Sequence, residues 1–371
     1  WWGSKSGPAP DGDGGTVAGA VNFDPWLCSG TDTDPAFGFQ PDTSDLCTNV
    51  AVTVTDSTGQ PIEDAKIIYN PGNGWHTFGH TDGNGEVSKQ LDCDTIRFQA
   101  KYRSTSSAIQ EQNICDDTTL AFQTSLITAE VQDSQENGLT GAKVIYNPGN
   151  GWHTFGHTDD GTVSTELFPG DYRFKASYHS TASAILQQDV GDDDSLFFQT
   201  ESILADVKTC AGDGIEGAKV IYNPGNGWHT LGHTDSNGET RQELFPGDYR
   251  FKASYHSTSS AEQQQPVSNN ESVHFTTTNV ALAYGGKIIY NPGNGWHRFQ
   301  QPTMELFAGT YPFKFGDYTQ DVTVSGCSTE KTVAVLKLTG HDGTPLAGGT
   351  ARGGYGTSYG TWHVGGSTDS N

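Results

Sequence analysis

One stretch recurs four times and fixes the architecture. It is Ile68-Tyr69-Asn70-Pro71-Gly72-Asn73-Gly74-Trp75-His76, followed by Tyr146 to His153, Tyr222 to His229 and Tyr290 to His297. Tyr69, Tyr146, Tyr222 and Tyr290 stand 77, 76 and 68 residues apart, a period that suits a small β-sandwich and is too long for one coil of a solenoid. The chain is therefore a tandem array. Each copy reads as a β-hairpin: an alternating strand, an Asn-Pro-Gly-Asn-Gly loop, then a second strand beginning at Trp. Asn before Pro-Gly suits a type II turn, because Pro sets φ at the second position and Gly accepts a positive φ at the third. The Asn-Gly that follows can take left-handed conformations and turn the chain back. By this reading Tyr69, Tyr146, Tyr222 and Tyr290, with Trp75, Trp152, Trp228 and Trp296, alternate with polar neighbours and pack inside.

The remaining totals narrow the class. With 371 residues, 47 Gly and a single Met, and with Thr, Ser and Asn clustered between short apolar runs, the chain has an all-β composition of four or five small domains. A formal charge of −24 argues against nucleic acid or an anionic membrane surface as a partner. No apolar run approaches the length of a membrane span. The six cysteines, Cys28, Cys47, Cys93, Cys115, Cys210 and Cys327, include no Cys-x-x-Cys pair, which favours disulfides in an oxidising, extracellular compartment over a zinc knuckle. Cys28–Cys47 and Cys93–Cys115 are the expected pairs; repeat two replaces the latter two together, with Pro169 and Gly191 at the matching positions. Cys210 and Cys327 remain, and pairing them would link repeats three and four. The opening Trp1-Trp2-Gly3 and the closing Thr368-Asp369-Ser370-Asn371, which matches Thr234 to Asn237 inside repeat three, lead us to expect a processed chain or a portion of a longer one.

Taken in order, residues 1–47 form an N-terminal arm rich in Gly, Pro and Asp. At Trp1 to Pro8 and Val17 to Leu27 it resembles the closing turn of right-handed parallel β-helix domains in bacterial surface proteins. A β-helix cannot stand on its last turn, so the resemblance implies an arm that docks elsewhere. Repeat one spans 48–124, repeat two 125–200, repeat three 201–277, a shortened repeat four 278–328 and an incomplete repeat five 329–371. In repeat two the alternating positions are Ile127/Ala129/Val131, Ala142/Val144/Tyr146, Val163 with Leu167, Tyr172/Phe174/Ala176/Tyr178 and Leu196/Phe198. Together with the Trp152 strand and the run Ala184-Leu186-Val190 they give about seven strands, the inventory of an immunoglobulin-like sandwich. The phrase running from Asp133 through Gly138, Gly141-Ala142 and Thr158-Asp159-Asp160-Gly161 to Leu167-Phe168-Pro169-Gly170-Asp171-Tyr172 resembles the carboxypeptidase-regulatory-like and Cna-B-like modules strung along bacterial surface proteins. Some Cna-B-like modules carry a Lys–Asn isopeptide bond. Here Lys66, Lys143, Lys219 and Lys287 alternate with the buried positions and should face outward, so that bond is not expected. The expected fold is all-β: tandem immunoglobulin-like β-sandwich repeats behind an extended arm.

Chemical motifs are few. His76/His80, His153/His157 and His229/His233 have zincin spacing, but in a strand such residues lie about 13 Å apart and cannot share one zinc. Gly356-Thr357-Ser358-Tyr359-Gly360 matches a nucleophile-elbow pattern without the strand and helix that would make an elbow. Asp82-Gly83-Asn84-Gly85 begins like a calcium loop but lacks the distant Glu. Asp116-Asp117 and Asp192-Asp193-Asp194 offer oxygen ligands for a structural calcium, against the alternative of solvated acidic turns. Asn270-Glu271-Ser272 is the glycosylation sequon, with Asn270 as acceptor. No catalytic constellation or cofactor site emerges, and we expect no enzyme.

The leading expectation is a structural subunit of an extracellular filament or cell-surface stalk, joined head to tail to further copies of itself through the arm and the incomplete last repeat. The alternative is an adhesin, or the carbohydrate-binding repeat region of a larger secreted β-helix protein, with surface glycans met by the hairpin aromatics. A polysaccharide-cleaving enzyme would need β-helix coils that are not in this sequence.

Overall fold

The computed structural model describes residues 47–191, 195–268, 272–332, 350–354 and 362–367, all strands and turns with no helix among them. The arm, Cys28, Asn270, Asp192 to Asp194, the expected strand at Val333–Leu338 and the Gly356–Gly360 motif lie outside these residues. The chain is an all-β tandem of sandwiches. It divides into two compact units: one holds the first sandwich with Glu166–Asp171 and residues 189–191, the other Thr128–Thr165, Tyr172–Gln188 and the described residues from Ser195 onward.

The first sandwich comprises β1 (Cys47–Thr55), β2 (Lys66–Asn70), β3 (His76–His80), β4 (Glu86–Asp92), β5 (Thr95–Tyr102), β6 (Thr105–Ser106), β7 (Gln110–Asn113) and β8 (Thr119–Gln123). One sheet has the order β4-β1-β8 and the other β3-β2-β5-β6, with β7 also on β5. The first and last strands pair in parallel, Val52 opposite Leu120, while β1 and β4 are antiparallel. Alternation explains the core: Val50, Val52 and Val54 from β1 and Phe122 from β8 on one sheet face Ile67, Phe98 and Ala100 on the other, all buried.

The same plan recurs in β9 (Ser125–Gln132), β10 (Lys143–Asn147), β11 (His153–His157), β12 (Thr162–Leu167), β13 (Gly170–Tyr178), β14 (Thr181–Ala182), β15 (Leu186–Val190) and β16 (Ser195–Gln199). It recurs again in β17 (Glu201–Lys208), β18 (Lys219–Asn223), β19 (His229–His233), β20 (Glu239–Leu244), β21 (Gly247–Tyr255), β22 (Thr258–Ser259), β23 (Gln263–Val267) and β24 (Ser272–Thr276). Each of these sandwiches has eight strands where seven were expected, the additional one being the two-residue β6, β14 or β22. Repeat two buries its expected positions except Val163, Tyr178 and Leu186, which are half-buried, and Ala184, which is exposed. Ala184 lies in the irregular link between β14 and β15, where no pleat fixes its direction. Lys143, Lys219 and Lys287 are exposed and Lys66 half-buried, so these side chains point away from the cores.

The fourth sandwich is shorter, with β25 (Thr278–Ala283), β26 (Ile288–Tyr290), β27 (His297–Arg298), β28 (Thr303–Leu306), β29 (Gly309–Phe315), β30 (Tyr318–Val324) and β31 (Ser328–Thr332). The direct hairpin of β29 with β30 replaces the two small strands of the other copies. Beyond it, β32 (Thr350–Gly354) and β33 (Trp362–Ser367) pair antiparallel as a two-stranded sheet.

The turns between strands are tied by aspartates. Asp82 Oδ1 accepts hydrogen bonds from the backbone N–H groups of Asn84 and Glu86 at 2.9 and 3.0 Å, and Asp235 does the same for Asn237 and Glu239. The bonds from Glu86 and Glu239 are the largest reason why both carboxyls titrate below the usual 3.8. A depressed folded-state pKa gives stability that is present above the ordinary value and lost as pH falls through the lowered one. The melting temperature is therefore expected to fall below about pH 4, and less so in the double variant Asp82→Asn/Asp235→Asn. Thermal melts at neutral and acid pH check this.

Candidate functional site

The most distinctive side-chain arrangement lies where one sandwich meets the next. A strand can bury only every second side chain within its own sheet, yet Leu244 and Phe245 are adjacent and both fully buried. Leu244 belongs to its own core. Phe245 goes to the preceding sandwich, where its N–H donates to Thr181 Oγ1 at 3.1 Å. Beside it, the Glu243 carboxylate accepts from Ser134 Oγ at 2.8 Å, from Ser134 N–H at 3.1 Å and from Thr200 Oγ1 at 2.7 Å. Tyr222 Oη donates to the His179 carbonyl and Asn226 Nδ2 to the Ser180 carbonyl. The accepting turn, His179-Ser180, has φ of +44° and +60°, which presents its carbonyls outward to the neighbouring repeat.

The joint between the third and fourth sandwiches repeats the plan. Phe307 is a member of the third sandwich's core and its N–H donates to Thr258 Oγ1 at 3.0 Å. Glu305 accepts from Thr277 Oγ1 at 2.6 Å and Asn279 Nδ2 at 2.8 Å, and Tyr290 Oη donates to the His256 carbonyl. Cys210 stands where the serine of the other joints would be, and it is bonded to Cys327 across 117 residues. Within the first unit, Phe168 likewise sits in the first sandwich's core with its N–H on Thr105 Oγ1, and Glu166 accepts from Ser57 and Thr124. Each joint of the second unit is thus a phenylalanine plug with a carboxylate clamp, and the same pair recurs inside the first unit. Charge-assisted hydrogen bonds of this kind contribute about 1.5–3 kcal/mol each when their partners are kept.

The sequence places Phe168 in the module's phrase but does not show that it and its counterparts Phe245 and Phe307 serve the neighbour. The signal was the Leu-Phe doublet, which no two-faced strand can bury twice on one side.

The hairpins fold around their first Asn. Asn147 Oδ1 accepts from Gly149 N–H at 2.7 Å and Gly151 N–H at 3.3 Å, and those glycines hold φ of +102° and +122°, which a side chain would strain. The tyrosines pack inward: Tyr146, Tyr222 and Tyr290 are buried and Tyr69 is half-buried. The tryptophans do not, which corrects the expectation: Trp75, Trp152, Trp228 and Trp296 are 43%, 42%, 40% and 48% exposed. The returning strand starts one residue later, at His76, His153, His229 and His297, so each indole belongs to the loop and escapes the pleat. Arg173 lies over Trp152 at 5.9 Å, and Arg250 and Lys252 each lie 5.7 Å from Trp228.

The remaining candidates are dispersed. Cys93 is bonded to Cys115. His76 binds Asn73 and His80 binds Asp64, so the two histidines of that pair serve different partners. Asp117 is taken up by Thr119, and Asp116 by Asn113. Among the described residues no group of three or more His, Cys, Asp or Glu side chains is set to hold a metal ion.

No protein family and no curated protein matches the chain. Several solved structures are similar to it in part. The Bacillus anthracis TIE protein aligns over 77% of this chain and 67% of its own at 11% identity, with a TM-score of 0.21. Shaft pilin SpaA from Lactobacillus rhamnosus GG aligns over 41% of this chain and 96% of its own at 11% identity and a TM-score of 0.21. BcpA, the major pilin subunit of Bacillus cereus, aligns over 62% and 98% at 13% identity and a TM-score of 0.19.

Proposed function

We propose that the chain is a structural subunit of an extracellular filament or cell-surface stalk, in which copies join head to tail through the N-terminal arm and the C-terminal repeat. The observation that carries this reading is the plugged joint. Beads on flexible linkers would leave each core closed on itself, whereas here Phe245 and Phe307 sit in neighbouring sandwiches, a device for stiffness rather than for ligand capture.

The array's outer faces support the second half of the reading. In the first sandwich Gln90 and Asp92, both exposed, occupy the positions of the clamp glutamate and plug phenylalanine. In the fourth, Phe315-Gly316-Asp317-Tyr318 replaces the Tyr-x-Ser-Thr turn that accepts a plug, and Tyr318 is 49% exposed. One copy therefore cannot add to another by reusing the internal joint, and contact between copies falls to the flanking segments. Among the described residues β32 and β33 pair with no further strand, and a lone two-stranded sheet gains most from a partner that adds strands to its open edges. The two disulfides among the described residues fit an oxidising, extracellular setting. No helix among the described residues is long and apolar enough to cross a membrane.

The exposed tryptophans favour a second reading, an adhesive array that meets surface glycans. Electron microscopy and sedimentation of the purified chain over a range of concentrations separate the two. Filaments, or a concentration-dependent series of oligomers lost when residues 1–46 are removed, support the structural reading; a monomer at every concentration that binds glycans rejects it.

A further inference from the structure

Among the described residues Asp206 is the one buried Asp or Glu, only 4% exposed, and a buried carboxylate outside any known site asks for a reason. Strand β17 runs parallel to β24 and sets Asp206 opposite His274. His274 Nδ1 lies 2.7 Å from Asp206 Oδ2, and His274 Nε2 lies 2.9 Å from Ser272 Oγ. A carboxylate only accepts hydrogen bonds, so neutral His274 carries its proton on Nδ1 and turns the lone pair of Nε2 toward Ser272, whose hydroxyl donates. Lys208 Nζ stands 3.4 Å from the same carboxylate oxygen. Ser272 and His274 are two residues apart on one strand face, which keeps the pair in reach of each other.

The other copies lack this arrangement. Phe197 lies opposite Glu130 in the second sandwich and Ala121 opposite Thr53 in the first; the serine survives in the second copy as Ser195, two residues before Phe197. His274 and Lys208 partner the buried carboxylate, and of the first three sandwiches only the third sets an imidazole between carboxylate and serine.

We propose that Ser272 is a nucleophile that accepts acyl groups from activated esters, with His274 as its general base and Asp206 as the residue that positions the imidazole. In the step, Ser272 Oγ bonds to the ester's carbonyl carbon as its proton passes to His274 Nε2. The carbon–alkoxide bond then breaks, and the leaving alcohol takes that proton. Water, deprotonated by the same nitrogen, releases the acid and restores the serine. The relay supplies base and orientation, worth about 10²- to 10⁴-fold together, so its reach is activated donors rather than amides, which need a strong oxyanion site as well.

The test uses the full chain and an alkyl fluorophosphonate, in which Ser272 Oγ replaces fluoride at phosphorus, with the labelled peptide identified by mass spectrometry. Labelling of Ser272 at least about 100-fold faster than Ser195 is expected, with most of that advantage lost in His274→Phe and a smaller part in Asp206→Asn. His274→Phe copies the residue of the second sandwich and so should fold; its melting temperature is measured alongside. Labelling of the two serines at equal rates, or of Ser272 at an unchanged rate in folded His274→Phe, overturns the proposal.

Discussion

Phe307→Ala is expected to destabilise the third sandwich by about 3–5 kcal/mol, although residue 307 belongs to the strand connection of the fourth. The ring is 1% exposed and packed with Ile203, Val220, Phe251 and Phe275. Truncation removes its transfer free energy and leaves a cavity that two sheets tied by their own hydrogen bonds cannot collapse to fill. The fourth sandwich's own core, which includes Val280, Leu306, Phe313 and Val324, does not contain Phe307 and is expected to lose far less. Hydrogen exchange through a denaturant series reads the two sandwiches separately. Trp296→Ala, at an exposed site, is the control and should stay within about 0.5 kcal/mol. A Phe307→Ala loss below about 1 kcal/mol, or one confined to the fourth sandwich, would place the ring outside the neighbouring core.

Removing the Cys210–Cys327 bond has an effect of similar size but with an asymmetry between its two ends. A closed loop of about 100 residues contributes roughly 4–5 kcal/mol in the chain-entropy picture, and this bond spans 117. Cys327→Ser should show that whole loss. Cys210→Ser loses the same bond but rebuilds the serine that clamps Glu166 and Glu243 in the other joints, now facing Glu305, so about 1–2 kcal/mol should return. Melts of both variants, with and without reductant, measure the difference. Equal losses would mean that the disulfide does not stand in for the serine clamp.

How much of the fold is legible in the sequence depends on how local each feature is. The strand pattern and the inward tyrosines were legible because a period of two residues is written in the sequence itself. The tryptophans depart from that pattern because they stand one residue outside the returning strand, in a loop held by the Asn carboxamide, where no pleat sets a side chain's direction. Phe245 and Phe307 were visible as letters but not as plugs, since their partners Thr181 and Thr258 lie 64 and 49 residues away. The Asp206–His274 contact was hidden more deeply still: it spans 68 residues and depends on the parallel pairing of first and last strands, which no local motif announces. Near-identity of the copies helped with the fold and obscured the chemistry, because what distinguishes the third sandwich sits where the copies differ.

Backbone amide exchange at Phe245 and Phe307 bears most directly on whether the sandwiches are locked into one another. Each N–H is buried and bonded to a threonine hydroxyl of the preceding repeat, at 3.1 and 3.0 Å. Phe307 should exchange as slowly as Val207 and Phe251 of the core that holds its ring, and Phe245 as slowly as Val131 and Phe174, buried strand residues of the second sandwich. Exchange at the rate of an unstructured peptide, with those core strands still protected, would show independent sandwiches on free linkers and contradict the plugged joint.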